Sequence, residues 1–264
     1  MTNITKQTNL LPDWSKDYVG IPNALARSAL FGVGRKVDRK IFDDEVIASN
    51  SDITLTYKGE ELRQDDLDVF LKIIDIAKSQ QLGERVTFTA NSLLSRLGRA
   101  SNSPSYARLS ESLVRMVDGT IQVTVRHPSG ITKHFRGHLI SSFTRVDKDI
   151  DISSMWVVSL EAGMVVLFAP QAFSLIRWST RISFSPVTKW LHAYYSTHKR
   201  PFSVKVETLR RAMASETKNT RNFRISIKES LQSLVDIGFF LTAHVDPVTD
   251  LVHVERAADR KLLE

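Results

Sequence analysis

A chain of 264 residues, 42% of them hydrophobic, holds enough apolar material for one large or two small cores. It has no cysteine, which excludes disulfides, thiolate metal sites and cysteine nucleophiles together, and no apolar run approaches the ~20 residues that span a bilayer. Net charge is +7, but between Pro186 and Lys228 ten cations face only Glu207 and Glu216, a local +8 that leaves −1 for the remainder and favours a polyanionic partner.

Met1 to Trp14 is polar and lacks a basic-then-apolar signal pattern, so a soluble cytoplasmic protein is expected, with residues 1–20 as a weakly ordered leader. Asn23 to Gly32 reads as a short helix with Leu25, Leu30 and Phe31 apolar, followed by the basic cluster Arg35, Lys36, Arg39 and Lys40. A strand is expected over 46–58, where Ile53, Leu55 and Tyr57 alternate. Asp65 to Gln80 has the spacing of an amphipathic helix, with Leu67, Phe70, Leu71, Ile74 and Ala77 inward. A short strand at Arg85–Phe88, a helix from Asn91 to Leu97 ended by Gly98, and a helix from Pro104 to Asp118 follow. Thr120 to Arg126 alternates as a strand, Pro128-Ser129-Gly130 turns, and Ile131 to Ile140 returns. That order is the order of a winged helix: a helix-turn-helix plus a β-hairpin. Residues 141–185 place a strand at Trp156–Leu160 around a sheet shared with this unit.

From Pro186 the pattern returns: a helix to Thr197, a strand at 202–204, a helix from Val206 to Met213, and a helix beginning near Asn219. A strand from Phe239, a turn over 246–250 and a strand from Leu251 to Glu255 complete it. Glu111 to Asp118 parallels Glu229 to Asp236 at an offset of 118, Phe70-Leu71 parallels Trp190-Leu191 at 120, and Phe88-Thr89 parallels Phe202-Ser203 at 114. The expected fold is therefore α+β, two tandem winged helices: residues 21–185 with the linking segments, and 186–258 as the main DNA-binding unit.

In the second unit Phe223, Ile227, Leu231 and Leu234 form one stripe of a helix, and Arg221, Arg224 and Lys228 a second stripe beside it. Asn219 or Thr220 caps the start and Gly238 the end. Arg221, Asn222, Arg224 and Lys228 are residue types that read base edges or hold phosphates, Lys205, Arg210 and Arg211 on or just before the preceding helix would cross the backbone, and Lys218 and Asn219 complete the DNA-binding candidates of this unit. The first unit offers Arg96, Arg99, Arg108 and Arg115, with Tyr106 near the helix start, and its expected wing Arg126, Lys133 and Arg136. The second wing holds Asp246 and Asp250, which suit phosphate poorly.

Enzymatic motifs are missing. His134 and His138 lie in a strand beside Arg136 and make a poor metal pair. Tyr194-Tyr195 between His192 and His198 lacks the two-histidine triplet that a tyrosine nickase needs. Asp65, Asp66 and Asp68 sit at a helix start, where carboxylates stabilise the dipole, and no P-loop occurs. No enzyme activity, cofactor or metal is expected.

Pro22 to Phe31, Trp190-Leu191-His192-Ala193-Tyr194-Tyr195 and Leu209-Arg210-Arg211 resemble the TrfA family of iteron-binding plasmid replication initiators, over roughly residues 20–255. The resemblance implies a monomer that binds directly repeated origin sites and opens AT-rich DNA nearby, with contact to single strands. It also implies recruitment of host replication proteins (DnaA, the replicative helicase and the sliding clamp) and a monomer–dimer equilibrium in which dimers are inactive. Arg27 to Phe31 is similar to a clamp-binding motif in which Leu30 and Phe31 insert into an apolar pocket, although Arg27 stands where such motifs carry Gln. Packing of the same pair on its own domain is the alternative. A dimeric winged-helix repressor remains the alternative function.

Overall fold

The computed structural model describes residues 11–34, 38–47, 53–78, 85–126, 132–146, 155–169 and 171–257. Two apolar cores organise them. One gathers side chains between Leu11 and Trp178 together with Ala193, the other Val33 and side chains between Val187 and Val252.

Residues 11–20, expected as part of a leader, belong to the first core; residues 1–10 lie outside the described residues. Leu11 and Trp14 are buried, the Trp14 ring stacks on Phe168, and its indole N–H donates to Asp75 at 3.0 Å. A tryptophan whose ring and polar tip both find partners fixes the segment that carries it. Strand β1 (Tyr18–Pro22) follows. The helix expected from Asn23 to Gly32 lasts a single turn, α1 (Asn23–Ala26), before β2 (Phe31–Gly32). The chain leaves the helix because its next groups are engaged across the molecule. Arg27 donates to the hydroxyl and carbonyl of Thr197, and the Ser28 carbonyl accepts the Trp190 indole N–H at 3.2 Å.

The strand expected over 46–58 is two: β3 (Ile41–Ile47) and β4 (Ile53–Glu60), paired antiparallel. Ile53, Leu55 and Tyr57 face the core as their alternation requires. Then come β5 (Leu62–Arg63), parallel to β2, α2 (Gln64–Ala77), β6 (Arg85–Thr89), α3 (Ala90–Arg96) and α4 (Ser103–Asp118). At the start of α2 the Asp66 carboxylate accepts the Arg63 backbone N–H at 2.8 Å, closing a capping box.

The hairpin expected as the first wing forms, as β7 (Thr120–Arg126) and β8 (Thr132–His138), but it does not join β6. It extends the first hairpin into a four-stranded sheet of order β3–β4–β7–β8; its turn, Pro128-Ser129-Gly130, lies outside the described residues. The partners of β6 come from the segment beyond: β9 (Ile140–Val146) and β10 (Met155–Leu160), in the order β6–β10–β9. A 3-10 helix over Ala162–Phe168, β11 (Phe173–Arg177), which pairs with β1, and α5 (Trp178–Arg181) lead to the second unit.

That unit comprises α6 (Pro186–Ser196), β12 (Val204–Lys205), α7 (Val206–Ala212), α8 (Thr220–Asp236), β13 (Phe240–Val245) and β14 (Leu251–Arg256). Its sheet has the order β12–β14–β13, the same plan as β6–β10–β9. The correspondence extends to single residues. Leu109, Ser112, Leu113 and Met116 are buried on α4, as Ile227, Ser230, Leu231 and Leu234 are on α8. The left-handed residue after α3 is Gly98 (φ +65°) and after α7 Ala214 (φ +48°). One expected match shifts by two residues: the buried counterpart of Phe88 is Val204, while Phe202 is 65% exposed.

The units are clasped through Asp68 on α2. Its carboxylate accepts the Arg181 Nε at 2.8 Å and the Lys189 ammonium from α6. Arg181 is fully buried and also donates to Gln64 Oε1 and the Lys189 carbonyl. The carboxylates read as dipole partners are thus centres of ion pairing, since Asp66 likewise binds Arg39 at 2.6 Å and Arg115 at 3.0 Å.

Candidate nucleic-acid interface

Helix α8 begins at Asn219, whose side-chain oxygen accepts the backbone N–H groups of Arg221 at 2.9 Å and Asn222 at 3.3 Å. Asn219 is therefore an N-cap, and the first turn is held rigidly. Phe223, Ile227, Leu231 and Leu234 are buried in the second core. That packing turns Arg221, Asn222 and Lys228 outward, where all three are exposed. Between them stands Ile225, 47% exposed, an apolar residue that the charge pattern alone does not single out.

Arg224 departs from the stripe assigned to it. Its guanidinium makes a bidentate pair with Asp250, Nε to Oδ1 at 2.7 Å and Nη2 to Oδ2 at 3.0 Å. Asp250 sits at the base of the β13–β14 turn with φ +57°, and its carbonyl accepts the Val206 N–H that opens α7. Arg224 thus ties α8 to the hairpin and to the start of α7. The other turn carboxylate is also committed: Asp246 accepts the Val248 and Thr249 N–H groups, both at 2.8 Å, and these bonds hold its pKa below the usual carboxylate range. Asp250 is thus neutralised by Arg224, whereas Asp246 keeps its negative charge at the turn.

Ahead of α8, Lys205 is exposed as the residue that opens α7, and Lys218 is exposed just before the α8 cap. Lys205, Lys218, Arg221 and Lys228 carry no ion pair among the described residues. Arg210 and Arg211 are more constrained. Arg210 forks onto Glu207 at 2.7 and 3.1 Å and donates to the Thr217 carbonyl, while Arg211 lies 3.4 Å from the same carboxylate. The Arg210 hydrogen bond holds the Glu207 carboxyl below its ordinary pKa. Lys189, counted in the basic segment, is withdrawn into the clasp.

The first unit gathers fewer of its candidates. Arg96 on α3 and Arg108 on α4 are exposed. Arg99 donates to the Asp65 carbonyl at 3.3 Å, and the Tyr106 hydroxyl binds Asn91. Arg115 is not an outward cation: it is buried against Asp66 and Glu60. Arg126 and Arg136 are exposed on β7 and β8, strands of the separate four-stranded sheet, and the Lys133 side chain lies outside the described residues.

Leu30 and Phe31 are 3% and 1% exposed in the first core, with Phe31 stacked on Phe70. They are packing residues rather than a presented motif. Arg39, of the basic cluster, pairs with Asp66 and Asp65, and Lys40 lies 3.9 Å from Glu216; Arg35 and Lys36 lie outside the described residues.

His134 lies 3.0 Å from the Thr124 hydroxyl, and His138 3.1 Å from the Gly119 carbonyl. Among the described residues no group of three or more His, Asp or Glu is placed to hold a metal, and no helix is long and apolar enough to cross a membrane. A cleft between the units is lined by Arg39, Arg63, Gln64 and Lys189, but its cations are engaged by Asp66, Glu61 and Asp68.

The model of the family described as TrfA protein matches residues 5–256. The plasmid replication initiator protein TrfA of Escherichia coli is 32% identical over 251 residues, which cover 92% of this chain and 63% of that protein. The chain thus spans under two thirds of its relative's length. Among solved structures, a selenomethionine derivative of domains 2 and 3 of RctB aligns with a TM-score of 0.60 at 10% identity, covering 89% of this chain and 98% of the other. A second structure of RctB domains 2–3 gives 0.58 at 11% identity, covering 89% and 97%. These are likenesses of fold.

Proposed function

The chain belongs to the TrfA protein family, and from that premise we propose that it initiates plasmid replication by binding origin DNA through α8. The observation that carries the reading is the outward edge of that helix: Arg221, Asn222 and Lys228 exposed on a capped helix, with Lys205 and Lys218 exposed beside it. Side chains of these types at a helix start enter a major groove, and lysines beside it hold phosphates.

Both units act on this reading as winged helices, with wings β9–β10 and β13–β14; the shared strand orders β6–β10–β9 and β12–β14–β13 support it. The protein binds directly repeated sites as a monomer, opens adjacent AT-rich DNA and recruits host replication proteins in the cytoplasm. Its work is binding and deformation rather than catalysis. Leu30 and Phe31 have no part in this proposal.

Selection from a random duplex library at near-physiological salt tests it. An asymmetric site of about two helical turns is the expected result; an inverted repeat would transfer the reading to a symmetric dimer.

A further inference from the structure

We propose that Ile225 reads the methyl group of a thymine in the major groove and so sets one base of the recognised site. This rests on the assignment of α8 as the DNA-reading helix and names what one of its positions recognises.

Ile225 lies in the row Arg221, Ile225, Lys228, at i, i+4 and i+7, with Asn222 one turn toward the N-terminus. At 1.5 Å per residue that row spans about 10 Å, the length of roughly three base pairs. The inner face of α8 is filled by Phe223, Ile227, Leu231 and Leu234, so Ile225 has no place in its own core and stands 47% exposed among groups that bind DNA. The cation nearest in sequence does not compete for the same space, because Arg224 is drawn to Asp250 at 2.7 Å.

A β-branched side chain on a helix has one strongly preferred χ1, so Ile225 presents its methyl groups in a fixed direction. The major-groove edges of the bases offer hydrogen-bond donors and acceptors, and a single apolar group, the thymine C5-methyl. An isoleucine brought against a donor or acceptor would desolvate it without return, whereas against a methyl group both surfaces leave water favourably.

The test uses the full chain and the duplex recovered by site selection. Each thymine is changed singly to deoxyuridine, which removes the methyl group and leaves base pairing intact. At one thymine the wild-type protein loses about fourfold in affinity or more, the value of one buried methyl group. Ile225→Ala loses a similar factor on the parent duplex and is indifferent to deoxyuridine at that position. Because Ile225 is exposed, an unchanged melting temperature accompanies this result, and Ile225→Val, which keeps the branched methyl groups, retains the deoxyuridine effect. Wild-type binding indifferent to deoxyuridine at every thymine overturns the proposal, as does an Ile225→Ala variant that keeps the full effect. A protein that binds all duplexes equally overturns instead the assignment of α8 as a sequence reader, and the proposal with it.

Discussion

Replacing Asp68 by alanine removes the carboxylate that joins the two units. In the native protein it receives the Arg181 Nε at 2.8 Å and the Lys189 ammonium, and the side chains of Asp68 and Arg181 are 4% and 0% exposed. The variant leaves Arg181 with two neutral acceptors, the Gln64 side chain and the Lys189 carbonyl, and no counter-charge. Stranding a buried charge in this way costs about 3–5 kcal/mol, a large part of the roughly 5–15 kcal/mol that holds a domain folded. At about 2–4 °C per kcal/mol for a chain near this length, the melting temperature falls by roughly 10 °C. The lost contacts join α2 to α5 and α6, while the Arg27–Thr197 and Trp190–Ser28 bonds still tie the units, so the loss is read as a lower melting temperature. Asp68→Ala/Arg181→Met recovers part of the loss, because it also removes the stranded charge. A melting temperature within a degree or two of wild type would refute the assignment of the clasp.

Phe31→Ala costs about 3–5 kcal/mol by opening the first core; a Leu30→Ala/Phe31→Ala protein that melts like wild type would mean the pair is presented rather than packed. Burial among Phe184 and Phe239 holds the His192 pKa down to about 3, with Arg181 and Arg256 acting in the same direction. The unfolded chain takes this proton near pH 6.5, so stability is full above that pH and falls by about 1.4 kcal/mol per unit from there toward pH 3. Urea midpoints measured from pH 7 to 4.5 show a shallower decline for His192→Phe, and parallel curves would contradict this account. Lys205→Ala weakens binding to all duplexes alike and lowers the salt slope by about 0.9; an unchanged slope removes Lys205 from the interface. Arg224→Ala and Asp250→Ala weaken specific binding by a common factor, and the double variant binds no worse than either, since each breaks the same tie. Tighter binding by Asp250→Ala would instead mean that Asp250 restrains an arginine that reads bases.

Helix α8 was legible because its signal is local. Phe223, Ile227, Leu231 and Leu234 mark the inward face within one helix, and Asn219 marks its start. The duplicated plan was legible for the same reason, through Leu109, Leu113 and Met116 on α4. Pairings across long separations were not. Both β7–β8 and β9–β10 alternate as any hairpin does, and nothing within them says that β6 takes β10 as its neighbour. The Arg224–Asp250 pair spans 26 residues and the Asp68–Arg181 pair 113, so their charges were visible but their commitments were not. Leu30 and Phe31 have the same letters whether presented or packed; their burial is decided by contacts with distant residues such as Phe70.

The duplication bears on how the two units divide the DNA. At the offset of 118, Leu109, Leu113 and Met116 correspond to Ile227, Leu231 and Leu234, and Ser112 to Ser230, whereas Phe223 stands opposite Ser105. The outward residues do not correspond: Arg221, Asn222, Ile225 and Lys228 stand opposite Ser103, Pro104, Ala107 and Ser110. Those four positions of α4 are small and neutral and reach few base edges, with Arg108 exposed beside them, whereas the four of α8 carry two cations, an amide and an apolar group. On the proposed function this asymmetry passes to the recognised DNA: specificity concentrates in the half of the site under α8, and the half under α4 is held mainly through its phosphates. A recognised sequence of that kind is directional, which suits repeats arranged head to tail and does not suit a palindrome read by two equal helices.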